Sequence, residues 1–585
     1  MEHQPHSPVQ GRKYKSRKER PCDACRRRKV CCIREPGDDA CSLCRMQSQI
    51  CSYDQGPTPR RRRPVTSALP SSNEDAVIVP NTIARATSSA PSPNHESGPR
   101  EWASQYVGLS GDHDPFVLRH ANFGPSNYYR SGDWACLRLQ SSAAIPSLFT
   151  VSPLNDTRPM HYPPSTLLDA AYPLHHELLS TYFEVVHTAF PLLEPARFVK
   201  GNKIDLCLLA TMYALARPFC SSATDLPSES LEAFVTRALP LDVRIPRLDT
   251  IEAALLFLQS DSPGPMVPGF HSQIGGLVAM CHDAGINVDP THWDIPAVDR
   301  ARRMRIWWAV YTADKWAALG LGRPSFIHED ACNVPPLTLA HIPVTTVGEQ
   351  TLPRTSSQMF VAMAALTQIL ATVLNTFYTL KATEQMARAT PAEIGNLKAY
   401  FEQRLFEFRA RYLAPLENVA DMFLDPTGTV FLAFYTVESV VQRALLRCVS
   451  LNDRLCQQIR QQAKQVMISV VKLVENLQVT RLRAFWWSPI SKVNFAMAGG
   501  SMFSMLLSST TDEEIEYWSS EITRYRRLLE MQSLSFDTTK LAAARMSALA
   551  NVRSSGRAQG EAGTAGRSDP KQAFCRDFGV EINTL

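Results

Sequence analysis

The stretch PCDACRRRKVCCIREPGDDACSLCRMQSQIC carries one cysteine pattern twice. Cys22-x2-Cys25-x6-Cys32 is followed, eight residues on, by Cys41-x2-Cys44-x6-Cys51. Using Cys31 in place of Cys32 breaks the match between the halves, so Cys31 is the spare. Thiolates bind zinc in tetrahedral sets of four. Six ligands can therefore serve two ions only if two sulfurs bridge both. So short a segment has too little apolar surface to fold alone, and metal binding would supply its folding free energy.

Charge and compartment support metal over disulfides. The first residues, MEHQPHSPVQGRKYK, offer no apolar run of signal-peptide type, so a reducing intracellular setting is expected. Clustered cysteine pairs there favour metal. Two zinc ions with six thiolates leave a net charge of about −2 by formal counting. Arg26, Arg27, Arg28, Lys29 and Arg34 more than offset it. Between Gly11 and Arg34 the chain has eleven Lys or Arg against two acids, although its total charge is only +5. Such concentration points to a polyanionic partner for that end.

A short helix through Cys25 and Lys29 would present Arg28 and Lys29 to the major groove of double-stranded DNA. Arg or Lys on guanine O6/N7 is the commonest specific base contact. Arg26, Arg27, Arg20 and Arg34 suit phosphates, which position a module without reading sequence. The run PRRRRP, with Arg60, Arg61, Arg62 and Arg63, reads as a nuclear import signal, a further phosphate contact, or both.

Texture divides the chain. A basic disordered arm is expected over 1–20, the cysteine module over 21–53, and a Pro/Ser/Thr-rich disordered linker over 54–100. An irregular segment packing on the body is expected over 101–166, a helical body over 167–550 and a flexible tail over 551–585. The chain as a whole should be mainly α. In TPAEIGNLKAYFEQRLFEFRARYL, Thr390 is an N-cap, Pro391 sits at N1 and Glu393 completes a capping box. Ile394, Leu397, Phe401, Leu405, Phe408 and Tyr412 then draw one apolar face. Leu455, Ile459, Val466, Val470, Leu473 and Leu477 do the same in another helix. VNFAMAGGSMFSMLLSS, from Val493, is the best candidate for a membrane span. It falls short of the roughly 20 apolar residues required and reads as a buried helix.

The six cysteines, with CRRRK from Cys25 to Lys29 and Pro36 in the loop, resemble the fungal binuclear zinc-cluster (Zn2Cys6) transcription factors. That resemblance implies that Cys22 and Cys41 bridge two Zn2+ ions. Cys25 and Cys32 would complete one site, and Cys44 and Cys51 the other. It also implies that Arg28 and Lys29 read a CGG-type triplet. Two departures stand out: Cys31 replaces the usual basic residue before the third cysteine, and the loop IREPGDDA is long and acidic. Neither removes a zinc ligand.

The body is similar to the fungal-specific transcription factor (middle homology) domain. LLSTYFEVVHTAFPLLEPARF from Leu178 resembles its opening. RRMRIWWAVYTADKWAALGLGRPSFIHEDACNVPPL carries Trp307, Trp308, Asp314, Gly322, Arg323, Pro324, Asp330 and Pro335 in the family's places. GGLVAMCHDAGINVD and FWWSPISKVNFAMAGGSMFSMLL also fit, with Asn287 where His is common. YVGLSGDHDPFVLRH and WACLRLQ look like a subgroup that includes activators of nitrogen-source catabolism.

The resemblance implies a nuclear, sequence-specific activator of RNA polymerase II genes, controlling nitrogen- or carbon-source catabolism or a secondary-metabolite gene cluster. A competing reading is a zinc-dependent co-regulator acting through a DNA-bound partner. The body is expected to take a small-molecule inducer, a co-regulator or a second copy of itself. Pairing half-site modules raises affinity through effective concentration, which favours a homodimer, although no heptad pattern follows the cluster.

Plainer roles are assigned to the other conspicuous residues. Trp307, Trp308 and Tyr311 read as helix core, and Arg323 as the ion-pair partner of Asp314 or Asp330. His175 and His176, adjacent on a helix, do not make a second metal site. A RING-type module needs eight ligands, usually including His. No phosphate-cradling loop, nucleophile elbow or His-Glu-x-x-His helix is present, so the chain is not expected to be an enzyme.

Overall fold

The computed structural model describes residues 22–27, 32, 39–46, 49–52, 102–110, 112–131, 134–140, 146–153, 162–199, 204–260, 268–343, 346–347, 350–351, 354–417, 424–449 and 454–548. The chain divides into two compact units, one holding the cysteine module and the other the rest of the described chain.

The module contains two one-turn helices, α1 (Asp23–Arg27) and α2 (Ser42–Met46). Each starts directly after the first cysteine of its half. Helices of five residues are far below the length that is stable alone in water. Their order must come from the cysteines around them.

In the second unit, residues 102–153 correct the expectation of an irregular segment. They contain a four-stranded antiparallel sheet of β1 (Trp102–Tyr106), β2 (Tyr128–Ser131), β3 (Trp134–Gln140) and β4 (Ser147–Pro153), in the order β1-β4-β3-β2. Tyr106 pairs with Phe149 and Leu137 with Phe149 across the central strand. Ala135, Leu137, Leu139, Phe149 and Val151 bury one face against Trp293 and Ile295. Cys136, Leu148 and Val107 bury the other under Leu118, Phe123 and Trp134. The Phe149 and Trp293 rings meet edge-on at 5.6 Å, and Asp294 N–H donates to Leu139 O at 2.7 Å. Gly285 makes this junction possible. Its φ is +60°, and a Cβ there would lie 3.0 Å from Tyr106 and 3.1 Å from Phe149.

The helical body follows, with α3 (Leu206–Ala216), α4 (Ser228–Asp242), α5 (Leu248–Phe257), α6 (Phe270–Asp283), α7 (Ala297–Leu321), α8 (Thr355–Val373), α9 (Pro391–Phe408), α10 (Gly428–Leu446), α11 (Arg454–Glu475), α12 (Ser488–Leu507) and α13 (Asp512–Gln532). One large apolar core joins them. The capping box of α9 forms as its sequence requires: Thr390 N–H donates to Glu393 at 2.7 Å, and Glu393 N–H to Thr390 Oγ1 at 3.3 Å. Ile394, Phe401, Leu405 and Phe408 are the buried residues of that helix.

The helix containing Val493 is mostly buried, as expected. By length and apolar composition, however, Thr355–Tyr378 and Gly428–Leu446 are better span candidates. In each, 67% of the most apolar window is buried within the body, as in a core helix.

α7 is the central element. Trp307, Trp308 and Tyr311 are buried in the core, as expected from their size. Trp308 Nε1 donates to Pro335 O at 2.9 Å, and Tyr311 OH to Glu329 at 3.0 Å. Near its start Arg302 grips the buried Glu252 through Nε at 2.8 Å and Nη2 at 2.7 Å. Gly322, at φ +61°, ends the helix in the left-handed conformation.

Candidate metal centre

The two halves of the cysteine module have matching local geometry. Cys22 N–H points at Cys32 Sγ (3.5 Å), and Cys41 N–H at Cys51 Sγ (3.4 Å), ten residues on in each case. α1 carries Cys25, whose N–H donates to Cys22 Sγ at 3.5 Å. α2 carries Cys44 in the corresponding position. Asp23 N–H donates to Ser52 O at 2.8 Å, joining the end of the module to its start. Asp23 itself is buried, and Ser52 Oγ donates to its carboxylate at 3.4 Å. Sequence reasoning passed over this residue, although an acid in the first turn of a helix is a recognisable signal.

The Sγ atoms of Cys22, Cys25, Cys41 and Cys44 all lie within 4.8 Å of one another and are buried. Cys22 and Cys41 are 3.8 Å apart, Cys22 and Cys44 3.7 Å, and Cys25 and Cys41 3.6 Å. With Zn–S bonds of about 2.3 Å, the edge of a ZnS4 tetrahedron is about 3.8 Å. The donor set and its spacing fit zinc.

Their protonation tendencies differ. Hydrogen bonding from Cys44 N–H, helped by the neighbouring thiols, pulls Cys41 down to about 6 against its burial. For Cys22, burial acts upward but is outweighed by the Cys25 N–H and the thiols beside it, so its thiol is also lowered. Burial pushes Cys25 upward. Of the four buried thiols, those of Cys22 and Cys41 are drawn toward thiolate, and those of Cys25 and Cys44 away from it.

Cys32 and Cys51 are half-buried and pack against the same cluster. Arg26 and Arg27 lie on α1. Arg20, Arg28, Lys29, Cys31, Arg34 and Arg60, Arg61, Arg62 and Arg63 lie outside the described residues.

The body corrects one assignment. Asp314 does not pair with Arg323, which is exposed and has no ion pair among the described residues. Buried Asp314 instead accepts from Ser325 Oγ at 2.5 Å, Phe326 N–H at 2.8 Å and Ile327 N–H at 3.1 Å. Lys315 sits 3.7 Å away and donates to Ile327 O at 2.7 Å. The Asp-Lys pair therefore anchors the segment leaving α7. His175 Nδ1 meets Tyr213 OH at 2.5 Å, a hydrogen bond within the body.

Residues 179–390 match the fungal specific transcription factor domain. The uncharacterized transcriptional regulatory protein C25B8.11 of Schizosaccharomyces pombe is 25% identical, over 92% of this chain and 90% of its own. The transcriptional activator protein DAL81 of Saccharomyces cerevisiae is 23% identical, over 63% of this chain and 43% of its own. Cutinase transcription factor 1 beta of Fusarium vanettenii is 24% identical, over 28% of this chain and 21% of its own. No solved structure matches the chain. The matched domain lies in the helical body, and the chain is similar to fungal transcriptional regulators along most of its length.

Proposed function

We propose that the cysteine module holds two zinc ions and reads CGG-type half-sites in double-stranded DNA, making the chain a nuclear regulator of RNA polymerase II transcription. The observation that carries this reading is the pattern of sulfur separations. Cys22–Cys41, Cys22–Cys44 and Cys25–Cys41, at 3.6–3.8 Å, match the edge length expected of two ZnS4 tetrahedra sharing Cys22 and Cys41. Cys32 and Cys51 then complete the two sites. Bound zinc supplies the folding free energy that two five-residue helices lack.

In this reading Arg28 and Lys29 contact guanine, while Arg26, Arg27, Arg20 and Arg34 contact phosphates. Arg60, Arg61, Arg62 and Arg63 serve nuclear import. The helical body regulates output, and pairing of two chains raises affinity for paired half-sites. DAL81 is named a transcriptional activator, which supports activation as the output here. The controlled genes are proposed to be metabolic, in nitrogen- or carbon-source catabolism or a secondary-metabolite cluster.

Cys31 favours one alternative. It stands where a basic residue would add a backbone contact, so a co-regulator acting through a DNA-bound partner is the second reading. Binding-site selection from random duplex DNA, with full-length zinc-loaded protein, separates the two. Enriched CGG triplets that disappear with Lys29→Ala support direct reading. No enrichment from zinc-loaded protein overturns it in favour of the co-regulator.

A further inference from the structure

We propose that a groove between α9, α10 and α11 binds a small organic ammonium ion with an apolar body. The groove encloses a cavity of about 310 Å³, within the usual range for small-molecule sites. Leu405, Phe434, Val441, Leu445 and Val466 line it as buried apolar floor. Phe406 stands at the rim with 70% of its surface exposed, an unusual position for a phenyl ring with no partner over it. Polar demand comes from α10, where Glu438 and Gln442 lie one turn apart on the same helix face.

Both groups lack a partner. Gln442 Oε1 is buried without a hydrogen bond, and Glu438 has neither an ion pair nor a hydrogen bond among the described residues. Buried polar atoms are nearly always satisfied, so the unpartnered Gln442 Oε1, one turn from the half-buried Glu438 carboxylate, calls for a donor. The nearby cations are engaged elsewhere: Arg409 holds Glu417 at 3.1 Å, and Lys398 holds Glu402 at 2.7 Å. The Gln442 oxygen and the Glu438 carboxylate are both acceptors, so the occupant must donate. A primary ammonium offers three donors and a positive charge, and the Phe406 ring can close over it or over the apolar body.

Burial pushes the Glu438 carboxyl up to about 7, with Arg409 pulling the other way. The charged and titratable groups around it are Arg409, Lys398 and Glu402 on and just beyond α9, Glu417, and Tyr435 on α10. α11 lines the groove with the amides Gln462 and Gln465 and the apolar Val466. An ammonium ion prefers the ionised carboxylate. Affinity should therefore rise from pH 6 to pH 8, and binding near pH 6.5 should release a proton. The site lies within the helical body and stands independently of the DNA-reading proposal.

The test is calorimetric titration of full-length, zinc-loaded protein with phenethylamine, hexylamine and cyclohexylmethylamine. 2-Phenylethanol and phenylacetate serve as neutral and anionic counterparts. At least one amine should bind saturably, one per chain, and more tightly at pH 8 than at pH 6. Glu438→Gln, which keeps the shape and removes the charge, should weaken it at least tenfold with the melting temperature not lowered. Gln442→Leu should weaken it less. Failure of all three amines, equal binding of 2-phenylethanol, or unchanged affinity in Glu438→Gln would each overturn the proposal.

Discussion

Cys22 Sγ and Cys41 Sγ lie 3.8 Å apart, each at the start of its own half-module and each with its N–H aimed at the sulfur ten residues ahead. The two halves thus repeat the same local contact around these sulfurs. In the proposed two-zinc arrangement, removing either one should damage both halves, whereas removing a peripheral cysteine should damage its own. Cys22→Ser or Cys41→Ser should lose both zinc ions and Cys32→Ser chiefly one, while Cys31→Ser should retain two. Metal content per chain, measured after dialysis against a weak chelator, decides it. Equal losses for Cys22→Ser and Cys32→Ser would remove the bridging assignment.

Asp314 makes a second prediction. It is buried and accepts hydrogen bonds from Ser325, Phe326 and Ile327. Asp314→Ala leaves two backbone N–H groups without their acceptor and takes away a negative charge beside buried Lys315. The loss should be about 3 kcal/mol or more of stability. Arg323→Ala, on an exposed side chain without an ion pair, should change stability by less than about 0.5 kcal/mol. Chemical unfolding of the two variants checks the order. Comparable losses would restore an Asp314–Arg323 pairing.

His187 predicts how the body responds to acid. It is buried, and its pKa is pulled down to about 3, by burial first and by Arg305 second. The unfolded chain takes up a proton near pH 6.5, while the native state keeps the ring neutral. Stability is therefore lost as pH falls below about 6.5, by up to about 1.4 kcal/mol per pH unit until the native group titrates. Between pH 6.5 and 5 this histidine should cost about 2 kcal/mol. His187→Gln should flatten that part of the profile, measured by urea unfolding at each pH. An unchanged slope would show that the ring is already charged in the native state.

The cysteine cluster was legible because a repeated spacing is itself a geometric statement: the same intervals return in matching N–H to sulfur contacts at Cys22 and Cys41. α9 was legible because Thr390, Pro391 and Glu393 act within one turn. The sheet was not. WACLRLQ in β3 is covered on both faces, so the alternation that marks a half-exposed strand is absent. The edge strand β1 pairs with β4, from Tyr106 to Phe149, far along the chain. Asp314 was misassigned because charge suggests Arg323, whereas the turn after α7 brings backbone N–H groups closer. Glu438 and Gln442 look like ordinary helix-surface residues until α9 and α11 wall them in.

Two glycines separate close packing from simple helix propensity. A Cβ on Gly428 would lie 2.5 Å from two ring atoms of Trp486. That indole cannot swing away freely, because Nε1 donates to Arg481 O at 2.8 Å and the ring packs on Phe495 and Phe536. Gly428→Ala should therefore destabilise by about 1–3 kcal/mol through overpacking. Gly500, inside α12, has nothing within 4 Å of its added Cβ. Gly500→Ala should stabilise by about 0.5–1 kcal/mol, since alanine loses less backbone entropy in a helix. Thermal melts of the two variants should move in opposite directions. A stabilised Gly428→Ala would mean that Trp486 is free to shift, and that the junction between α10 and the segment before α12 is looser than its ring contacts imply.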